Sequence, residues 1–193
     1  MTTIIDYGIG NLRSIEKAFQ RVGVDVLRTD DPQAIREAER LVLPGVGAFG
    51  ACIDEIRRRD LEAPIHAAVE DGTPFLGVCV GLQLLFETGH EKGVHEGLGL
   101  LPGRVVHFHD ASDDWPDDLV VPHMGWNTVS QTQRHPLWAD IADGTRFYFV
   151  HSYYADPSDA SIVAGATHYG RRFASAIARD NVFACQFHPE KSS

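Results

Sequence analysis

The chain has 193 residues, of which 44% are hydrophobic and 23% charged, as in an ordinary globular domain. Its formal net charge of −10 repels phosphate backbones and anionic lipids, which argues against nucleic acid and membrane surfaces as partners. The three cysteines form no Cys-x-x-Cys pair, so the sequence predicts no disulfide framework and no metal site, and no cofactor is expected.

The first half of the chain alternates apolar strands with amphipathic helices. Residues 1–6 lack the basic start and long apolar segment of a signal peptide, and no apolar run reaches about 18 residues, so we expect a cytoplasmic protein without a membrane span. Strands are predicted around Ile4 and over 24–27 and 41–43, and helices from apolar stripes at 12, 15, 19 and 22, at 49, 53 and 56, and at 61, 65 and 69. Asn11 is the predicted N-cap of the first helix.

The segment 74–87 places a cysteine on a tight turn. It begins as a short apolar run, which predicts a buried strand, and continues with apolar residues at 82, 85 and 86, which predict a helix. Cys79 therefore lies between a strand and a helix, flanked by Gly77 and Gly81, where any side chain would crowd the bend. Such a turn presents the thiol, and a helix N-terminus stabilises a thiolate. The alternative is that Cys79 is a small buried hydrophobic residue, as most free cysteines are.

The second half changes to shorter strand-like runs separated by turn residues. Strands are predicted over 104–108, 126–129, 146–150, 162–167, 172–178 and 182–187, and the acidic segment 110–118 is predicted to be an exposed loop. Histidines at 90 and 95 are five apart, whereas a zinc-binding helix needs them four apart, so no metal site is expected there. The whole pattern predicts an α/β fold, with a mostly parallel central sheet flanked by helices and a smaller antiparallel sheet. The site is expected at the carboxyl ends of the parallel strands.

A stretch near the end of the chain supplies a base. His188 follows a strand pattern and precedes Pro189, which biases it toward an extended conformation. In extended backbone, residues two apart point to the same side, so Glu190 is predicted to reach the His188 ring. A carboxylate bonded to one imidazole nitrogen leaves the other nitrogen to serve a thiol. Cys79, His188 and Glu190 are therefore the predicted catalytic residues, although a His-x-Glu pair by itself is more often a surface coincidence.

The residues around Cys79 and His188 resemble the two active-site motifs of the class I (triad-type) glutamine amidotransferases: Gly77-Val78-Cys79-Val80-Gly81-Leu82-Gln83 and Gln186-Phe187-His188-Pro189-Glu190. Further stretches resemble the glutaminase subunits of imidazole glycerol phosphate synthase: Ile5-Asp6-Tyr7-Gly8-Ile9-Gly10-Asn11-Leu12, Leu43-Pro44-Gly45-Val46-Gly47-Ala48-Phe49, His123-Met124-Gly125-Trp126-Asn127 and Phe149-Val150-His151-Ser152-Tyr153. The resemblance implies a flavodoxin-like three-layer fold and one glutamine amidotransferase type 1 domain over 1–193. It also implies a final helix, which the sequence up to Ser193 lacks.

That resemblance implies hydrolysis of L-glutamine to glutamate and ammonia through a thioester on Cys79. The implied oxyanion donors are the backbone amide of Val80 and one amide of the 44–47 loop, either Val46 or Gly47, because sequence does not show the peptide orientation. The residues implied to bind glutamine are Gln83, Gly45, Ser152 and Tyr153. For Gln83 the alternative is a polar residue on the exposed side of a helix.

The resemblance also implies a partner. Free ammonia at neutral pH is mostly ammonium, so it must be delivered directly, and a (β/α)₈ barrel alone needs roughly 250 residues. We therefore expect the acceptor enzyme in trans, as a cyclase subunit that joins ammonia to a ribonucleotide in histidine biosynthesis and forms a heterodimer with this chain. The candidate interface residues are Trp126, Asn127, Tyr148 and Lys191. For Trp126 and Tyr148 the alternative is a place in the core.

Two other functions are compatible with these residues. The chain could serve another amidotransferase or hydrolyse gamma-glutamyl bonds, and the Trp126 stretch and a partner in trans would discriminate. It could also be a glutamine-binding regulator without turnover, which the intact set of Cys79, His188 and Glu190 argues against.

Overall fold

Residues 1–111, 115–116 and 119–192 are described by the structure, which is a computed structural model. The β-strands in these residues are Thr2–Ile5 (β1), Val26–Thr29 (β2), Leu41–Leu43 (β3), Phe75–Val78 (β4), Phe86–Gly89 (β5), His95–Glu96 (β6), Leu101–His107 (β7), His123–Thr128 (β8), Ser130–Gln131 (β9), Arg146–His151 (β10), Tyr153–Pro157 (β11), Val163–Tyr169 (β12), Arg171–Arg179 (β13) and Val182–Cys185 (β14). Of the acidic segment predicted as an exposed loop, residues 112–114 and 117–118 lie outside the described residues.

The described helices are short. The α-helices are Leu12–Arg21 (α1), Pro32–Arg36 (α2), Phe49–Arg58 (α3), Glu62–Glu70 (α4) and Val80–Gln83 (α5), and the 3₁₀ helices are Phe108–Ala111, Pro136–Trp138, Ala160–Ile162 and Pro189–Lys191. None of the described helices is long and apolar enough to cross a membrane.

Five parallel strands form one half of the main sheet, in the order β2-β1-β3-β4-β14. Every residue of β1, β3 and β14 is buried. This explains the uninterrupted apolar sequences of β3 and β14, since strands covered on both faces do not alternate. The carboxyl ends of β3, β4 and β14 are neighbours at one edge. The segments that follow these strands, at 44–47, 79 and 186–188, therefore meet there.

Beyond β14 the same sheet continues with antiparallel pairings through β13, β11 and β7. A separate two-stranded antiparallel sheet joins β8 to β10, with Trp126 opposite Tyr148. The predicted fold class, a mostly parallel central sheet with flanking helices and a smaller antiparallel sheet, is confirmed. Several of the predicted antiparallel strands extend the main sheet instead of forming the smaller one.

The helix predicted to run through Phe86 is wrong, because α5 is a single turn and Phe86 begins β5. The backbone carbonyls of Leu84 and Leu85 accept hydrogen bonds from Leu98 and Leu101 at 2.8 and 2.9 Å, respectively. These carbonyls are therefore not available to continue the helix, and pairing with a distant segment overrides the local apolar spacing.

Candidate active site

Cys79 occupies a strained turn between β4 and α5, with φ 56° and ψ −112°. This left-handed backbone is rare for a residue other than glycine and costs about 1–3 kcal/mol, so the surrounding structure must hold it. A Cβ on Gly81 would lie 1.9 Å from the Leu43 carbonyl oxygen, and a Cβ on Gly77 would lie 3.0 Å from the Gly81 carbonyl oxygen. Both glycines flanking Cys79 are thus required by close backbone approach, as the sequence predicted.

His188 and Glu190 form a buried pair, with side chains 2% and 3% exposed. His188 Nδ1 donates to Glu190 Oε1 at 2.9 Å, and Asn11 Nδ2 donates to the same oxygen at 3.3 Å. Asn11 does occupy the N-cap position of α1, but its side chain makes no capping bond. The extended geometry predicted for Glu190 is wrong, because Pro189–Lys191 is a 3₁₀ turn. The 3₁₀ turn, and not the alternation of side chains along a strand, brings the Glu190 carboxylate to the His188 ring.

The protonation of this pair is coupled to Cys79. Burial opposes a charged imidazolium at His188, but its interactions with the Cys79 thiol and then with Glu190 outweigh burial and raise its pKa to about 9. Burial would raise the pKa of Glu190, but the hydrogen bond from His188 prevails and the pKa is lowered. His188 Nε2 has no hydrogen-bond partner among the described residues. It is therefore the nitrogen available to exchange a proton with Cys79.

Two hydrogen bonds hold the 44–47 loop beside Cys79. Tyr7 Oη donates to the first carbonyl of the loop, at 2.9 Å, and Cys52 Sγ donates to its third, at 3.4 Å. Burial raises the pKa of Tyr7 well above its ordinary value and that of Cys52 to about 11, so both groups stay protonated and act as donors. A Cβ on Gly45 would lie 2.7 Å from the Gly81 amide nitrogen, so only glycine lets the loop approach the turn.

A cavity of about 440 Å³ opens in front of Cys79. Its lining residues are Val46, Gly47, Ala48, Cys79, Val80, Gln83, Glu91, Pro122, Val150, His151, Ser152, Tyr153, His188 and Lys191. The structure thus brings together all the predicted site residues except two, since Glu190 lies behind His188 and Gly45 packs against the turn. The backbone amides of Val80, Val46 and Gly47 donate to no described residue, so each predicted oxyanion donor is free to bind a ligand.

Gln83 does not lie on an exposed helix face, because it is only 4% exposed. Its Nε2 donates to the Tyr153 carbonyl and to Gln186 Oε1, each at 3.0 Å. Gln186 Nε2 in turn lies 3.7 Å from Cys79 Sγ. The sequence predicted no role for Gln186, and its only signal there was its position two residues before His188.

Glu91 is a cavity residue that sequence reasoning missed. Its carboxylate Oε2 accepts from the backbone N–H of Phe49, the first residue of α3, at 2.8 Å. In the sequence, the spacing of the two histidines that flank Glu91 argued against a zinc-binding helix but indicated no role for Glu91. Its position just after a strand of the main sheet would have been the signal, but β5 was not recognised as a strand.

Two histidines link the cavity to Asn127. His151 Nδ1 donates to the Tyr153 carbonyl at 2.8 Å, His123 Nδ1 lies 2.9 Å from His151 Nε2, and Asn127 Nδ2 lies 3.1 Å from His123 Nε2. Burial lowers the pKa of His123 to about 4 and that of His151 to about 3, so both rings are neutral at physiological pH. Asn127, predicted at the partner interface, directs its side chain into this network, because β8 alternates inward and outward residues.

The other three interface candidates lie together on the surface. Trp126 is 46% exposed, so it is not a core residue, and its ring lies 6.3 Å from that of Tyr148. Lys191 Nζ lies 5.8 Å from the centre of the Tyr148 ring. Met124, on the same side of β8 as Trp126, is 62% exposed. We call these four residues the Trp126 patch.

A strained cysteine beside a buried His–Glu pair, with free amides around it, defines a cysteine-dependent hydrolase of the triad type. The family model for class I glutamine amidotransferases matches residues 3–193. The chain is 67% identical over 192 residues to imidazole glycerol phosphate synthase subunit HisH of Salinibacter ruber, covering 100% of this chain and 88% of that relative. The HisH of Syntrophotalea carbinolica is 51% identical over 192 residues, with 100% and 93% covered.

Solved structures agree at the level of the fold. A crystal structure of a glutamine amidotransferase superimposes with a TM-score of 0.73 at 16% identity, covering 98% of this chain and 90% of that one. The chain therefore belongs to the class I glutamine amidotransferase family and, within it, to the HisH subunits of imidazole glycerol phosphate synthase.

Proposed function

We propose that this chain hydrolyses L-glutamine at Cys79 and delivers the ammonia to a separate cyclase subunit in histidine biosynthesis. The observation that carries the proposal is that the cysteine, the free nitrogen of His188 and the free backbone amides all face one cavity. Its relatives are subunits of imidazole glycerol phosphate synthase, which supports a partner subunit. A cytoplasmic location remains a prediction.

The first half of the reaction forms a thioester. His188 Nε2 takes the proton of Cys79, and the thiolate attacks the carbon of the side-chain amide of glutamine. The carbonyl oxygen becomes negative and accepts hydrogen bonds from the backbone N–H of Val80 and from one backbone N–H of the 44–47 loop. Loss of one such donor lowers the rate by about 10²–10³-fold. The His188 imidazolium, oriented by Glu190, then protonates the leaving nitrogen, and ammonia departs.

The second half releases glutamate. Neutral His188 accepts a proton from a water molecule as the water attacks the thioester carbon. The same oxyanion donors stabilise the second tetrahedral intermediate, because the oxygen occupies the same place. Collapse of this intermediate breaks the C–S bond and expels the Cys79 thiolate, which takes back the proton on His188. The new γ-carboxyl group loses its proton to solvent, and glutamate leaves.

The amino-acid end of glutamine needs a carboxylate and a set of donors. We assign its α-ammonium to Glu91, whose carboxylate lines the cavity and already accepts one backbone amide. The backbone at Ser152 and Tyr153 lines the same cavity and is assigned to the α-carboxylate. Gln83 presents Oε1 as a further acceptor, since its Nε2 is occupied by two other groups.

We assign the cyclase interface to the Trp126 patch. The exposed Trp126 and Met124 beside the half-buried Tyr148 match the composition of interface centres, in which aromatic residues and Met are enriched. Lys191 belongs both to this patch and to the cavity lining, so the patch adjoins the space in which ammonia forms. A partner docked there receives ammonia without its passage through bulk water.

The deciding experiment measures glutamate release from glutamine by this chain alone, and then with a cyclase subunit and its ribonucleotide. We expect a rate that rises on addition of partner and ligand, and ammonia that appears in the cyclase product. The Cys79→Ala variant is the control, with no release but measurable glutamine binding. Turnover retained in Cys79→Ala would overturn the nucleophile, and an equally low rate with and without partner would overturn the partner assignment.

A further inference from the structure

Gln186 touches the sulfur of Cys79, yet the mechanism so far gives it no task. It follows β14 and is completely buried. Its Nε2 lies 3.7 Å from Cys79 Sγ, a distance at which N–H donates to sulfur, and its Oε1 accepts from Gln83 Nε2 at 3.0 Å. The effect of this buried amide on Cys79 depends on whether it turns its donor, Nε2, or its acceptor, Oε1, toward the sulfur.

The Tyr153 carbonyl sets that orientation, because a carbonyl only accepts hydrogen bonds. It receives the Nδ1–H of His151 at 2.8 Å and the Nε2–H of Gln83 at 3.0 Å. The second hydrogen on Gln83 Nε2 goes to Gln186 Oε1. If Gln83 were turned around, its Oε1 would face the Tyr153 carbonyl, and two acceptors would oppose each other without a proton. The amino group of Gln186 is thereby directed at Cys79.

We propose that Gln186 is a further catalytic residue, whose side-chain amide donates a hydrogen bond to Cys79 Sγ and stabilises the thiolate. The inference rests on the proposed function, in which Cys79 is the nucleophile. Gln83 acts as a positioning residue, because it holds Gln186 Oε1 and so keeps the donor on the sulfur. No proton leaves Gln186; the thiol proton still goes to His188 Nε2.

The donor acts in both halves of the reaction. A thiolate accepts a hydrogen bond more strongly than a neutral thiol or a thioester sulfur, since hydrogen bonds to charged groups are about twice as strong as neutral ones. The Gln186 bond therefore strengthens when the thiolate forms and again when Cys79 leaves the thioester. Because Gln186 is completely buried, water does not compete for its side-chain amide.

The test is the alkylation of Cys79 by iodoacetamide, read by peptide mass spectrometry at pH 7 and pH 10 on the whole chain without glutamine. In Gln186→Met, which has a similar volume but no donor, we expect the rate at pH 7 to fall about tenfold, the lower end for a hydrogen bond to a charged group. At pH 10 we expect a much smaller fall, because an ordinary thiol is largely ionised at that pH. Glutaminase kcat/KM is expected to fall by a similar factor.

Gln186→Asn is the second variant, in case the first does not fold. Asparagine keeps an amide, but its side chain is shorter by one C–C bond, about 1.5 Å, so the donor no longer reaches the sulfur. We therefore expect the ratio of the alkylation rate at pH 7 to that at pH 10 to fall as in Gln186→Met. Ser175→Ala is the matched control, because Ser175 is also completely buried. The variant loses the hydrogen bond that Thr167 Oγ1 donates to Ser175 Oγ at 2.9 Å but removes no hydrogen bond to Cys79. Its ratio should equal that of the unmodified chain.

An unchanged ratio of the pH 7 and pH 10 rates in a folded Gln186 variant would overturn the proposal, even if glutaminase activity were lost. A ratio that falls equally in Ser175→Ala would overturn it too, because the effect would then come from general loosening. The alkylation assay needs neither glutamine nor a partner, and glutamate release by the unmodified chain is measured in parallel. Failure of the proposed function is therefore distinguishable from failure of this inference.

Discussion

Gly81→Ala tests the packing that holds the Cys79 turn against the 44–47 loop. The added Cβ would lie 1.9 Å from the Leu43 carbonyl oxygen, whereas ordinary contacts begin near 3.4 Å, so the two backbones must separate by about 1.5 Å. Leu43 directly precedes the 44–47 loop, so the loop moves with it. A misplacement of about 1 Å costs on the order of 10²-fold in rate, and loss of one oxyanion donor costs about 10²–10³-fold.

We therefore expect kcat for glutamate release, measured with the partner bound, to fall at least about 100-fold in Gly81→Ala. Overpacking of this kind also lowers the free energy of unfolding by about 1–3 kcal/mol, measurable by urea denaturation. Gly72→Ala is the matched control, because Gly72 has φ +84° but no heavy atom within 4 Å of an added Cβ. It should cost about 1–2 kcal/mol of stability from backbone strain and leave kcat unchanged. A Gly81→Ala enzyme with more than about a tenth of the original kcat would refute the packing argument.

Three further changes test the site and the surface. Glu190→Gln removes one of the interactions that raise the pKa of His188 to about 9, above its ordinary 6.5. Protonated His188 therefore stabilises the fold fully below pH 6.5, and this stabilisation is lost as pH rises through 9. The free energy of unfolding, measured by urea denaturation, should fall less between these pH values in the variant than in the original chain. An equal fall would contradict the coupling of Glu190 to His188. Glu91→Gln should raise KM for glutamine about 10-fold or more with little change in kcat, because a bond to a charged group is lost, and an unchanged KM would exclude the α-ammonium assignment. Trp126→Ala should weaken cyclase binding, measured by calorimetry, about 10-fold or more, and unchanged affinity and coupled turnover would show that the interface lies elsewhere.

The catalytic turn could be predicted because its causes are local. An apolar run, a cysteine and two flanking glycines lie within a few residues, and the structure shows why each glycine is needed. The His188–Glu190 pair was also predicted, but on a wrong geometry, since a 3₁₀ turn and not an extended segment joins the two side chains. Short sequence separation made the contact predictable even though the backbone was not.

The errors arose where distant segments compete for the same backbone groups. The helix after Cys79 stops at Gln83 because the carbonyls that would extend it pair with residues 98 and 101. Because the helix stops there, residues 86–89 form β5, and Glu91 follows this strand into the cavity. No local pattern in the sequence indicated this position. For Asn127, which stays a predicted interface residue, the direction of the side chain into the histidine network follows from the inward and outward alternation of β8 and was not visible in the sequence.

By itself, the sequence determined the chemistry of this protein: a cysteine presented on a tight turn, a histidine with a carboxylate, and motifs that resemble one enzyme family. The tertiary structure decided which groups surround that chemistry. It places β14 beside β4, so that Gln186 reaches Cys79 from 107 residues away, and it directs the Gln186 amide through the Tyr153 carbonyl. The physical reason is that glycine and proline act on their own neighbours, whereas strand partners and the orientation of a buried amide depend on donors and acceptors supplied by the rest of the fold.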